Sequence, residues 1–98
     1  MHEHGLAREL WPQLRGIAQT RGLRRVERIE MIVGLLHGAT ADTLVHSFEH
    51  AFVGSHFQGA AVKVTIVEPG EEFTPPNSER ATRATGWEIL VVRMEGQE

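Results

Sequence analysis

Cysteine is absent from this sequence, so the fold has no disulfide framework and no thiolate-bound zinc or iron–sulfur centre. Any metal must be held by histidine, carboxylate or backbone nitrogen. Long apolar runs are missing as well. No stretch approaches the ~20 apolar residues of a membrane span, and the amino terminus lacks a basic segment followed by an apolar one. The chain therefore reads as soluble and cytoplasmic. Positive charge is not in excess: the formal net charge is -3 at pH 7, which gives no general attraction to nucleic acid. Basic residues bunch at "RGLRRVER", with Arg21, Arg24, Arg25 and Arg28 close together. The cluster does not recur and has no aromatics interleaved, so it reads as a solvated helix end running into an edge strand.

The 98 residues suffice for one domain, with roughly 60–65% of the unfolded surface buried on folding. Residues 4–22 read as a helix, because Leu6, Leu10, Leu14 and Ile17 recur at three- and four-residue spacing. Pro12 falls inside that pattern and should kink the helix near Arg8, and Gly22 offers a left-handed stop. "RRVERIEMIVG" is rich in branched residues, with Ile29, Met31 and Val33 on one face, and reads as a strand. A second helix is capped by Thr40, carries Asp42 in its first turn and ends at Gly54. "AAVKVTIVEP" alternates, which points Val62, Val64 and Ile66 inward and Lys63, Thr65 and Val67 outward. Residues 70–86 are polar and aperiodic and read as a long mobile connection, after which "WEILVVRME" closes as a third strand. The expected fold is α+β: a small three-stranded sheet with two helices packed on one face. Trp11 and Trp87 are expected to pack in or near the core, with an interface role for either as the lesser reading.

No nucleophile–base–orienter set and no glycine-rich phosphate loop stands out, so the chain is not read as an enzyme. "HSFEH" spells an inverted zinc-protease motif through His46, Glu49 and His50. A chain this short leaves little room for the third ligand and the cleft, and such a pair on an exposed helix face is more often plain surface. His37 falls in the turn after the first strand, and His56 just beyond the second helix.

The chemistry concentrates in the first four residues, "MHEH". The terminal amine of Met1, the backbone nitrogen of His2 and its Nδ1 can close adjacent chelate rings around one ion. The backbone nitrogen of Glu3 is placed to complete a four-nitrogen plane. Deprotonated amides impose a strong in-plane field that suits square-planar Ni(II) or Cu(II) and suits zinc poorly. A bulky second residue disfavours removal of Met1, which preserves the geometry. His4 either approaches the ion axially or points into water. Taken alone, four terminal residues are more often disordered and metal-free.

The element order and the residues in it resemble the HypA family of nickel-insertion accessory proteins, which serve hydrogenase and urease maturation. "MHE" followed by "LARELWPQL" is similar to the family's start, Met-His-Glu and then an amphipathic helix. Gly34, Leu36 and Gly38 fall on its turn, Phe48, Phe52, Gly54 and Ser55 on its helix end, and Gly59, Ala60 and Pro69 frame its next strand. The similarity covers residues 1–69 and, more loosely, 86–95. Two departures stand out. Where the family inserts a zinc ribbon with two Cys-x-x-Cys pairs, this chain has the cysteine-free residues 70–86, and where the family usually carries glutamate it has Leu35.

The resemblance implies a nickel site at His2 and Glu3, in line with the chelate above, so the metal residues expected are Met1, His2, Glu3 and His4. It implies residues 1–98 as a single nickel-binding domain, with 70–86 as the linker that replaces the ribbon, Ni(II) as the metal and no zinc site. It also implies a cytoplasmic metallochaperone for a nickel enzyme, foremost a [NiFe] hydrogenase. Its partners would be a nickel-delivery GTPase (HypB-like), a hydrogenase large subunit, or both, with neither nucleic acid nor membrane involved. The alternative is a metal-independent interaction module binding a maturation partner. Exposed strand edges also offer a route to a homodimer.

Overall fold

The computed structural model describes residues 3–98, with side chains from residue 5 onward. Helix α1 spans Glu3–Thr20 and buries Leu6, Leu10, Leu14 and Ala18. It runs continuously through Pro12. The proline faces solvent, where the Arg8 carbonyl that loses its helical donor can bond to water instead. Gly22, at φ 69, turns the chain out of the helix.

Strand β1 spans Arg25–Gly34 and leads through a short 3-10 turn, Leu35–His37, to helix α2, Ala41–Ala51. Thr40 caps α2 reciprocally: its Oγ1 accepts from the Thr43 amide, and its own amide donates to Thr43 Oγ1. Strand β2, Ala61–Val67, returns parallel to β1, with α2 as the crossover that a parallel pair requires. Strand β5, Ile89–Gln97, lies antiparallel on the other side of β1, so the sheet order is β2–β1–β5. This is the expected α+β arrangement.

Register explains the core. Ile29 stands between Val62 and Met94, Met31 between Val64 and Val91, and Val33 between Ile66 and Ile89. These rows pack with Leu10 and Leu14 of α1, with Leu44 and Phe48 of α2 and with Phe52 at its carboxyl-terminal cap in one apolar cluster. An aromatic chain ties the helices together: Phe52 lies 5.5 Å from Trp11, 5.9 Å from Phe48 and 5.2 Å from Phe57, centroid to centroid. Trp11 therefore packs as expected.

Two expectations are corrected here. Val67, assigned outward by alternation, is only 2% exposed. It lies on the face away from the helices but is covered, because the chain folds back at Gly70 instead of leaving the sheet: the Gly70 amide bonds the Ala84 carbonyl, and the Ala84 amide bonds that of Glu71. The 70–86 segment is also less shapeless than its composition suggests. It contains a second ladder, β3 (Glu72–Phe73) against β4 (Thr82–Arg83), with Asn77 at φ 62 in its turn.

Candidate metal centre

Helix α1 begins at Glu3, so of the expected metal residues the backbones of Glu3 and His4 belong to its first turn. Met1 and His2 lie outside the described residues, as do the side chains of Glu3 and His4. The backbone is helical from residue 3. The first amides of a helix have no intrahelical acceptor, which leaves the nitrogen of Glu3 without a helical bond to break.

The remaining histidines fall apart spatially. His46 and His50 are exposed on α2 and share a helix face by their four-residue spacing. His37 is engaged within the fold, where its Nε2 lies 3.0 Å from the Trp87 carbonyl and its ring meets the indole edge-on at 5.3 Å. His56 sits beside Phe57, across from the carboxyl-terminal half of α1. Among the described residues, no three His, Cys, Asp or Glu side chains gather in a way that could hold an ion. The "HSFEH" pattern therefore has no third ligand among them.

What sequence reasoning missed lies at the end of β1. Trp87 does not join the core. It is 59% exposed, and Leu36, 45% exposed, lies against the adjoining Gly86; Leu35 is 42% exposed. The loop that presents it is pinned from several sides. The Leu36 amide bonds the Gly86 carbonyl at 2.9 Å and the Gly34 amide bonds that of Glu88 at 2.7 Å. A Cβ on Gly34 would strike the Gly86 carbonyl, so only glycine lets the two backbones meet here. The Glu88 carboxylate accepts from the amides of Thr85 (2.7 Å) and Gly86 (2.9 Å) and from the Thr85 hydroxyl. The only sequence signal was "TGWE", where a short polar run brings Glu88 within reach of its own loop amides.

Burial pushes the Glu88 carboxyl up, but the amides of Thr85, Glu88 and Gly86 and the Thr85 hydroxyl together outweigh it. The carboxyl titrates below its ordinary range. A depressed folded-state value means that the stabilisation is present above the unfolded carboxylate pKa of about 4.3 and is lost as pH falls through the folded value. Glu88→Gln is expected to lower Tm by a few degrees at pH 7 and to flatten the acid limb of a stability–pH curve. An acid limb identical in both proteins would refute this role for the carboxylate.

Comparison with known proteins adds the family. The family model described as hydrogenase/urease nickel incorporation, metallochaperone, HypA matches residues 1–72. The chain belongs to the HypA family. The fold agrees. The solution structure of the nickel metallochaperone HypA from Helicobacter pylori superposes with a TM-score of 0.66 at 18% identity, covering 99% of this chain and 98% of that one. A second HypA solution structure gives 0.63 at 17% identity, covering 98% and 96%. No match is found among curated protein sequences. The HypA match begins at residue 1 and so includes "MHEH"; it ends at Glu72, where the β3–β4 segment begins.

Proposed function

We propose that this HypA-family chain carries one Ni(II) ion at its amino terminus and delivers it during maturation of a nickel enzyme, foremost a [NiFe] hydrogenase. The observation that carries the reading is the family match extending through Met1, His2 and Glu3. Nickel is cargo here, and the chain's own groups do the work. The Met1 amine, the His2 amide nitrogen and Nδ1, and the Glu3 amide nitrogen supply four donors in one plane. Two amide protons must leave, so the two negative nitrogens offset the charge of the ion. A formally neutral chelate suits the positive end of α1, where a bare cation would be disfavoured. His4 is a candidate axial neighbour and not one of the four planar donors.

Residues 70–86 act in this reading as the linker that stands in for the family's zinc ribbon, without a zinc site. A nickel-delivery GTPase of the HypB kind, a hydrogenase large subunit, or both would receive the chain in the cytoplasm. A second reading, a metal-independent interaction module, is favoured by the exposed apolar side chains of Leu35, Leu36 and Trp87, the last a residue type that often anchors protein interfaces. The two readings separate in one experiment. Binding of the purified GTPase or large subunit is measured with nickel and with a chelator present. The delivery reading expects association that strengthens with nickel and falls in His2→Ala. Association indifferent to both, but lost in Trp87→Ala, would replace it with the second reading.

A further inference from the structure

Two arginines and a histidine far apart in sequence meet around one trough. Arg15 comes from the middle of α1, Arg24 from the turn leading into β1, and His56 from the turn after α2. They rim a groove of about 670 Å³ whose floor includes Leu23 and Phe57. A second hollow of about 280 Å³ shares Arg15, His56 and Phe57 with it and extends the floor to half-buried Trp11. No carboxylate side chain lines either hollow among the described residues. The chain as a whole is negative, so this positive charge is a product of the folding path and not of composition.

The rim side chains have donors to spare. The ion pairs of the described residues join Arg28 and Arg93 to Glu30 and involve none of the three. Arg24 donates one N–H, from Nε, to the main-chain oxygen of Glu98 at 3.0 Å, and Arg15 lies 5.9 Å from the centroid of the Trp11 ring. Each guanidinium carries five N–H donors, so both contacts leave most of them outward. Cations often gather at a helix carboxyl end to satisfy its carbonyls. That accounts for Arg24 but not for Arg15 in mid-helix, for His56, or for the aromatic floor between them.

We infer that this trough docks an acidic segment of a partner protein, a stretch in which carboxylates flank one or two apolar side chains. The carboxylates pair with Arg15 and Arg24 and accept an N–H from His56, and the apolar side chains rest on Phe57 and Trp11. Charge complementarity sets the occupant. A nucleic acid would call for positive charge running along a face, whereas here it surrounds a short apolar hollow. The inference goes beyond nickel binding and does not depend on it, since no trough residue belongs to the amino-terminal chelate.

The test uses the full chain carrying Trp87→Phe, which leaves Trp11 as its single tryptophan. The probe is a blocked peptide of glutamates flanking two leucines. The expected result is a saturable one-to-one change in Trp11 emission that weakens at high salt. The paired reversal Arg15→Glu with Arg24→Glu should weaken binding by at least about tenfold. Arg80→Glu, on the exposed turn between β3 and β4, should leave it unchanged. Both reversed residues are exposed, so the fold should persist, and thermal melting checks that it does. No saturable change, equal binding of the lysine counterpart peptide, or indifference to the double reversal would overturn the inference. Tighter binding of a single-stranded oligonucleotide at the same residues would also overturn it, reassigning the trough to nucleic acid.

Discussion

Nickel added to the untagged chain with its native Met1 should give a one-to-one yellow complex that is diamagnetic, the signature of square-planar Ni(II). Replacing His2 by Ala removes the imidazole donor and opens one chelate ring. Extending the chain by a few residues ahead of Met1 converts the terminal amine to an amide and buries the motif mid-chain. Either change should weaken binding by at least about a hundredfold, roughly 2.8 kcal/mol. Proton release gives a second signature. Two amides lose protons, and the terminal amine, with an ordinary pKa near 7.7–8.0, must also be neutral. Affinity should therefore rise about a thousandfold per pH unit just below that value and about a hundredfold per unit above it. His4→Ala should change the visible spectrum little, because an axial group adds weakly to a planar field. An unchanged complex in the extended protein, or an affinity flat with pH, would place the metal elsewhere.

Phe52→Ala should be the most damaging single change in the aromatic core. The ring is 1% exposed and touches three other aromatic rings, one of them Trp11 of α1. Large-to-small replacement of a buried phenylalanine costs about 3–5 kcal/mol, from lost transfer energy and the cavity left behind. That is a large share of the roughly 5–15 kcal/mol a domain of this size has available. Denaturant unfolding should show the loss, and Trp11 emission should shift to the red as its packing partner disappears. The neighbouring Val53, which is largely exposed, provides the comparison: Val53→Ala should stay within about 0.5 kcal/mol of the parent. Equal losses at the two positions would mean that Phe52 does not hold α1 and α2 together.

The helices and main strands were legible because their burial patterns are local. Leu6, Leu10 and Leu14 mark one face of α1 wherever that helix packs, and Ile29, Met31 and Val33 mark one face of β1. The Thr40 cap and the stop at Gly22 were visible for the same reason, since each depends on residues within a turn or two. The family was legible too, because its residues recur in order from Met1 to Pro69. The absence of cysteine by itself excluded thiolate ligation of any metal.

Other features depend on which distant segment arrives at a given face. Val67 is buried although its position in the alternation points it outward, because the chain returns through Gly70 and Ala84. Trp87 is exposed although it is large and apolar, because Glu88, Gly34 and His37 hold its loop at the sheet end. Arg15, Arg24 and His56 form a trough only because the start of β1 and the turn after α2 both lie beside α1. Periodicity determined which side of each element is apolar, since that is written in spacing along the chain. Tertiary structure decided which polar groups meet across elements, since loop closure brings together residues whose separation in sequence carries no record of the contact.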